Sequence, residues 1–235
     1  MIYRNVPVSS KITNSEVVVA SDVEGTLTTG ETWRALGRYY QQFGKRGSYR
    51  RFFAARMPGF ILAKLGIVSE AAFKTRWIED LAQFFAGMNA EELARVAAWV
   101  VEHELWAKRR LDVVAELERH VQAGHTLVLA SGVYQPVLAA LAERLGAAAV
   151  GTPLEMTGAD GVATGQLVGE VNTGEAKLMR LETWLSGRSL NVAYGDTEAD
   201  VPMLKRAEDA VAVHPNTELA SVAHERGWRV LGVSA

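Results

Sequence analysis

The chain has 235 residues, of which 49% are hydrophobic and 22% are charged, and it contains no cysteine. This apolar content is enough to bury a core, so a disordered protein is excluded. Disulfide scaffolds, cysteine-ligated metals and cysteine nucleophiles are excluded as well, and the formal net charge of −2 gives no overall nucleic-acid footprint.

The first predicted element is a short buried strand at residues 17–20, made of three valines and an alanine. A polar, glycine-bearing loop follows it at residues 21–26. From Glu31 to about Trp106, apolar residues recur every three or four positions, which is typical of helices. Within this region we expect Asn89 to cap a helix, with Glu92 as its partner.

From residue 108 onward, predicted helices and strands alternate. The predicted strands lie at 126–130, 147–151, 190–194, 210–213 and 228–232, and the predicted helices at 108–122, 135–145, 174–186, 199–206 and from 216. Glycines spaced like those of a hairpin predict a β-hairpin within residues 155–169. Apolar strands separated by amphipathic helices are typical of a parallel sheet with helices on both faces.

These elements predict an α/β protein with a doubly wound, Rossmann-like parallel sheet and an inserted helical cap domain. The core comprises residues 1–30 and 108–235, and the insertion, residues 31–107, follows the loop of the first strand. In open α/β sheets, ligands bind at the carboxyl ends of the strands. We therefore expect the inserted helices to cover that end of the sheet.

Acidic residues follow two of the predicted strands. Asp22 and Glu24 come after the first strand, and Asp196 and Asp200 come after the strand at 190–194. Because parallel strands end at the same edge of a sheet, these carboxylates should meet and repel one another unless a cation lies between them. Oxygen-only ligands at such loose spacing suit Mg²⁺.

Hydrogen-bond donors and one cationic side chain are expected at the same edge. Ser131 and Gly132 follow the strand at 126–130, and Lys177 lies near the start of the helix at 174–186. Carboxylates, a divalent ion, a lysine and loop N–H groups are together typical of a phosphoryl-transfer site.

Four ordered motifs resemble those of the haloacid dehalogenase superfamily. They are Asp22 to Thr28, Ser131-Gly132, Lys177, and Gly195-Asp196 with Asp200. The helical insertion directly after the first motif is similar to the phosphoserine phosphatase-like branch, subfamily IB. The resemblance implies a Mg²⁺-dependent phosphoric monoester hydrolase that acts on a small phosphorylated metabolite.

The resemblance also implies a role for each matched residue. Asp22 would be the nucleophile that forms an aspartyl-phosphate, and Glu24 would be the general acid and base. Ser131 and the Gly132 N–H would hold phosphoryl oxygens, and Lys177 would neutralise their charge and hold Asp22 in line. The implied Mg²⁺ ligands are Asp22, the backbone carbonyl of Glu24, Asp196 and Asp200.

Glu24 departs from the usual first motif, which has an aspartate at that position. Glutamate keeps the carboxyl group but adds a methylene and a torsion. Because a displacement of about 1 Å can lower a rate on the order of a hundredfold, the substitution bears directly on turnover.

Glu31 bears on the choice of substrate, because it stands nine residues after Asp22 (31 − 22 = 9). In phosphoserine phosphatases, a glutamate near this position holds the amino group of the substrate, and the resemblance implies the same here. Ala199 argues against phosphoserine, since those enzymes tend to carry asparagine before the last aspartate of the motif.

One stretch of the insertion is strongly basic. Between residues 32 and 69 there is no Asp or Glu, while apolar residues interleave with the basic ones. The basic residues are Arg34, Arg38, Lys45, Arg46, Arg50, Arg51, Arg56 and Lys64. Three interpretations are open: a solvated face of the cap, attraction of an anionic substrate, and contact with anionic lipid or a lipid-like phosphate.

The sequence favours hydrolysis of a small phosphomonoester through an aspartyl-phosphate, and two alternatives stay open. One is a phosphotransferase, in which an acceptor alcohol replaces water. The other is a binding or regulatory module of the same fold with little turnover, which the longer acid at Glu24 would favour.

The location expected from the sequence is the cytoplasm. Residues 1–15 are mixed and polar, where a signal peptide would need an apolar run. The apolar runs elsewhere are too short to span a bilayer. No pattern in the sequence indicates an oligomeric state.

Overall fold

A computed structural model describes residues 17–43, 46–65, 67, 69–158 and 161–232. Residues 1–16, which the sequence assigns to the core, and Lys45 of the basic stretch lie outside the described residues. None of the helices in the described part of the chain combines the length and the apolar character of a bilayer-crossing segment.

The strands form two sheets. In chain order they are β1 (Val18–Ser21), β2 (Thr126–Tyr134), β3 (Ala148–Thr152), β4 (Leu154–Thr157), β5 (Val162–Leu167), β6 (Val192–Gly195), β7 (Asp209–Val213) and β8 (Arg229–Leu231). Six of them pair in the order β3-β2-β1-β6-β7-β8, and every pair is parallel. β4 and β5 form the antiparallel hairpin expected from the glycines. The predicted doubly wound α/β fold is confirmed.

The helices fall into two groups along the chain. The insertion at residues 31–107 contains α1 (Thr32–Gln42), α2 (Arg46–Lys64), α3 (Glu70–Leu81) and α4 (Ala90–Val100), with a 3₁₀ turn at Ala82–Phe85 and a π-helical turn at Val101–Leu105. The others alternate with the strands: α5 (Leu111–Gln122), α6 (Gln135–Leu145), α7 (Gly174–Leu185), α8 (Val201–Arg206) and α9 (Thr217–Arg226). A 3₁₀ turn at Glu198–Asp200 precedes α8.

Capping side chains and a glycine in the left-handed conformation define several helix ends. The predicted capping box is present, since Asn89 Oδ1 accepts from Glu92 N at 3.0 Å and Glu92 Oε2 accepts from Asn89 N at 3.0 Å. Asn216 caps α9 in the same way, because its Oδ1 accepts from Leu219 N at 2.9 Å. Gly146 ends α6 with φ 65°, in the left-handed region that glycine adopts readily.

Several boundaries differ from the sequence-based expectation, and long-range pairing explains two of them. β2 continues to Tyr134 instead of ending at 130, because Tyr134 pairs with Thr152 of β3 beyond a register shift. α5 begins at Leu111 instead of 108, because Arg109 forms an antiparallel bridge with Thr28. The two chain segments that flank the helical insertion are therefore joined to each other.

The core has two buried clusters, one on each face of the sheet. Successive residues of β1 point to opposite faces, so Val19 belongs to one cluster and Val18 to the other. The larger cluster continues without interruption from the sheet into the insertion, where it includes Leu36 of α1 and Phe85. The smaller cluster packs beneath α7, α8 and α9, through residues such as Leu181.

Leu36→Ala tests the continuity of the larger cluster. Leu36 is fully buried, so the truncation leaves a cavity and should lower the free energy of unfolding by about 2–5 kcal/mol. Chemical denaturation should show one transition, because the insertion and the sheet share this cluster. Leu65→Ala is the control, since Leu65 is 67% exposed. A loss no larger than that of the control, or two separate transitions, would contradict the interpretation.

Candidate active site

The candidate site lies where three neighbouring strands end. β1 lies between β2 and β6 in the sheet. Asp22 directly follows β1, Ser131 lies near the end of β2, and Asp196 directly follows β6. A hydrogen bond from Asp22 N to Tyr194 O, 3.0 Å long, continues the pairing of β1 with β6 and places Asp22 beside the loop that carries Asp196.

Three of the four carboxylates expected from the sequence come together. Asp22, Asp196 and Asp200 each offer an oxygen, and these oxygens lie within 4.8 Å of one another. Asp22 and Asp200 are buried, at 6% and 2% exposure. Burial raises the pKa of Asp22, and burial together with the charges of Asp22 and Asp200 raises the pKa of Asp196 to about 8. The three clustered carboxylates therefore strongly favour the binding of a cation.

Lys177 supplies part of that charge. Its Nζ lies 2.7 Å from Asp22 Oδ1 and 2.6 Å from Asp200 Oδ1, and the side chain is 4% exposed. Burial alone would lower the pKa of Lys177, but the charges of Asp200 and Asp22 outweigh it and hold the pKa above its ordinary value. The lysine thus stays an ammonium between two carboxylates.

The donor set fits a divalent cation. If all three aspartates are ionised, the single ammonium leaves two negative charges uncompensated in a buried site, which a divalent cation would balance. The available ligand atoms are all oxygens, and their mutual distances suit an ion that binds oxygen at about 2.1 Å, as Mg²⁺ does. Asp22, Asp196 and Asp200 are therefore the residues that could hold Mg²⁺.

The loop after β6 is built to present two of these aspartates. Asp200 Oδ2 accepts from Asp196 N at 3.1 Å and from Thr197 N at 3.2 Å, so Asp200 also closes the turn that precedes α8. Thr26 donates through Oγ1 to Asp196 Oδ1 at 2.9 Å. This hydrogen bond joins the loop after β1 to the loop after β6.

Two glycines make this close approach of the loops possible. Gly25 has φ 98°, and a Cβ there would lie 2.0 Å from Asp196 Oδ2. A Cβ on Gly195 would lie 2.4 Å from Asp200 Cβ. Any larger residue at either position would push the aspartates apart.

Glu24 is turned toward the insertion rather than toward the acidic cluster. Its Oε1 accepts from Thr32 N, the first residue of α1, at 2.5 Å. Burial raises the pKa of Glu24 to about 7, although the hydrogen bonds from Thr32 oppose the rise. Glu31 is the N-cap residue of α1, and its carboxylate pairs with Arg34.

Asn172 organises the part of β2 that contains Ser131 and Gly132, two residues that the sequence placed just after the strand. Ser131 is buried at 2% exposure. Asn172 Nδ2 donates to Ser131 O at 3.0 Å and to Val150 O at 2.7 Å, while Thr152 Oγ1 donates to Gly132 O at 2.8 Å. Sequence reasoning missed Asn172, because its two carbonyl partners lie 41 and 22 residues away and leave no local pattern.

Comparison with known families identifies the chain. A family model described as haloacid dehalogenase-like hydrolase matches residues 19–205, from β1 into α8. The chain belongs to the haloacid dehalogenase-like hydrolase family. This confirms the resemblance drawn from the four motifs, and it confirms the predicted enzyme class, a hydrolase.

Relatives of this haloacid dehalogenase-like hydrolase include proteins named as phosphatases. A phosphoserine phosphatase of Mycobacterium tuberculosis is 33% identical over 221 residues, which cover 89% of this chain and 68% of the relative. A histidinol-phosphatase of Neisseria meningitidis is 30% identical over 161 residues, or 65% and 67% of the two chains. A solved structure of a protein of unknown function from Bordetella pertussis has the same fold, with a TM-score of 0.76, 22% identity and coverage of 92% and 98%.

Mg²⁺ should stabilise the folded protein through the aspartate cluster. A ligand at a hundred times its dissociation constant adds about 2.7 kcal/mol to stability, so MgCl₂ should raise the melting temperature measured by calorimetry. Asp196→Asn should abolish this rise. Asp209→Asn, an exposed aspartate on β7, should keep it and serves as the control. An equal rise in both variants would exclude the cluster as the metal site.

Proposed function

We propose that the protein is a Mg²⁺-dependent phosphatase that hydrolyses a small phosphomonoester through an aspartyl-phosphate on Asp22. The observation that carries this proposal is the buried Asp22 carboxylate, which Lys177 holds at 2.7 Å beside two further aspartates. Family membership supports a hydrolase, and the residues around Asp22 support phosphoryl transfer as its chemistry.

Asp22 is oriented for nucleophilic attack. Its Oδ1 accepts from Lys177 Nζ at 2.7 Å, whereas Oδ2 accepts a longer hydrogen bond, 3.4 Å, from Thr26 Oγ1. The more weakly held Oδ2 would be the oxygen that attacks phosphorus. A bond forms between Oδ2 and phosphorus while the bond from phosphorus to the leaving oxygen breaks. Ser131 and the Gly132 N–H would hold phosphoryl oxygens, and the charged Lys177 would balance the developing negative charge.

Glu24 is the proposed general acid and general base. Its raised pKa of about 7 allows it to give a proton to the leaving oxygen and then to take one from the water that attacks the intermediate. Oε1 is held by Thr32 N, so Oε2 is the oxygen available for this transfer. When bound to Asp22, Asp196, Asp200 and the Glu24 carbonyl, Mg²⁺ would neutralise charge on the phosphoryl group.

The substrate we propose is a phosphomonoester that carries an amino group. The relatives named for phosphoserine and for histidinol phosphate support this class, because both compounds are amino-bearing phosphate esters. Glu31, at the start of α1, would bind the ammonium group. Its present partner Arg34 has a side chain that is 57% exposed, so a substrate ammonium would replace a weak surface ion pair. A screen of phosphorylated metabolites for phosphate release tests the class.

We also propose that residues 31–107 act as a cap on the core formed by residues 1–30 and 108–235. Thr29 N donates to Lys108 O at 3.1 Å and Arg110 N donates to Leu27 O at 2.8 Å, so the insertion leaves and re-enters the core at one place. The contact between Glu24 and Thr32 would couple the position of the cap to the acid–base group.

A cytoplasmic location stays a prediction.

Asp22→Asn tests the nucleophile. The amide keeps the size of the side chain but cannot form the acyl phosphate, so Mg²⁺-dependent hydrolysis should fall by at least about three orders of magnitude. Phosphate release from an aryl phosphate measures the rate, and circular dichroism confirms folding. Retained activity in the folded variant would reject Asp22 as the nucleophile, and an inactive wild type would reject the proposed function itself.

Two variants of Glu24 test its proposed role as general acid. Glu24→Asp changes the position of the carboxyl group, and Glu24→Gln removes its proton. The shorter aspartate cannot reach Thr32 N, and a displacement near 1 Å should cost on the order of a hundredfold in kcat. Glutamine keeps the length but carries no acidic proton, so hydrolysis of an alkyl phosphate should fall about 10²–10⁴-fold while an aryl phosphate suffers less. An equal loss on both esters would argue against Glu24 as the general acid.

A further inference from the structure

The outward side of α2 has an unusual composition. Its exposed residues recur every three or four positions, so they form one continuous face of the helix. We call this face the α2 stripe, and its members are Gly47, Arg50, Arg51, Ala54, Ala55, Pro58, Ile61, Leu62 and Leu65, the last directly after the helix. Solvent-facing helix stripes ordinarily carry polar and charged residues of both signs, whereas this one carries only arginines and apolar residues.

The carboxyl-terminal end of the stripe is aliphatic and exposed. Ile61 is 52% exposed, Leu62 40% and Leu65 67%, and Ile67, just beyond the stripe, is 67% exposed. These are large side chains that globular proteins seldom leave together at the surface. Isolated exposed leucines need no explanation. Four exposed aliphatic side chains within seven consecutive positions, however, indicate a surface that is covered by an apolar partner.

The amino-terminal end of the stripe is cationic. Arg50 and Arg51 are exposed, and no ion pair joins either of them to a carboxylate within the described ranges of the chain. Arg34, Arg38 and Arg56, by contrast, form ion pairs with Glu31, Glu104 and Asp80. The sequence from 32 to 69 holds no acidic residue, so nothing on α2 itself offsets the two exposed guanidinium groups.

A neighbouring groove is also lined by arginines and apolar side chains. Arg50 and Ala54 of the stripe also line a groove of about 640 Å³ between α1 and α2. Its other walls include Trp33, Arg38 and Met57. Arginines and apolar side chains predominate in this groove, which Gln41 and Glu104 also line.

We propose that the α2 stripe docks the protein on an anionic lipid surface. Lipid phosphates would bind Arg50 and Arg51, and the acyl region would receive Ile61, Leu62 and Leu65 as the helix lies in the plane of the interface. A lipid surface fits better than a protein partner, because none of the nine described members of the stripe has a hydroxyl, amide or carboxylate side chain for directional recognition. This inference does not depend on the proposed phosphatase activity.

Vesicle flotation tests the docking with the full chain. At low ionic strength the protein should float with vesicles that mix phosphatidylcholine and phosphatidylglycerol, and it should stay behind with phosphatidylcholine alone. Binding should weaken as salt is added, because the attraction of the arginines for the surface is screened. Failure to bind the anionic vesicles at low salt would overturn the proposal.

The charged end of the stripe is tested by the double variant Arg50→Gln, Arg51→Gln. Each basic residue near an anionic surface contributes about fivefold to partitioning, so the pair should lower it about thirtyfold. The matched control is Arg95→Gln, Arg119→Gln, which removes the same charge from side chains that are 62% and 71% exposed elsewhere. An equal loss in the control would mean that net charge alone causes binding, and would refute a role for the stripe.

The apolar end is tested by Leu65→Asp against Met179→Asp. The two residues are 67% and 63% exposed, so both variants should fold, which circular dichroism checks. Leu65→Asp should lower partitioning at least about tenfold, while Met179→Asp should leave it unchanged. If Leu65→Asp instead converts a dimer to a monomer in sedimentation and leaves vesicle binding intact, the stripe is a subunit interface and the lipid proposal is wrong.

Discussion

The buried ion pairs of Lys177 with Asp22 and Asp200 are the constraint on which the rest of the site depends. Taking one ammonium and several carboxylates out of water is costly, and such groups contribute little net stability unless they are paired well. One lysine cannot balance three ionised aspartates, so full ionisation of the cluster at the end of the central strand needs a further cation. A divalent cation would offset this negative charge and would also neutralise charge on a bound phosphoryl group.

The fold supplies this cluster from three distant parts of the chain. Asp22 follows the central strand, Asp200 closes the turn before α8, and Lys177 comes from α7, 155 and 23 residues away from its two partners. Each group is fixed by a rigid element or a closed turn, so the lysine meets both carboxylates at hydrogen-bond distance. Gly25 and Gly195 remove the side-chain atoms that would keep the loops apart.

Charge is divided unequally over the molecule, although the chain as a whole is close to neutral, at −2. Acidic groups gather at the strand ends, and a stretch without any acidic residue lies in the helical insertion. Three of the six arginines in that stretch, Arg34, Arg38 and Arg56, pair with Glu31, Glu104 and Asp80. What distinguishes α2 is therefore the placement of its exposed residues, where cations and aliphatic side chains share one face.

The sequence by itself determined the elements and the motif positions, because these depend on neighbours along the chain. Apolar periodicity placed the strands and helices, and the capping box at Asn89 was predicted from two residues. Tertiary structure decided the rest. The extension of β2, the contact from Glu24 to Thr32, the role of Asn172 and the outward orientation of the α2 stripe all depend on partners or packing from remote segments, and no local pattern records them.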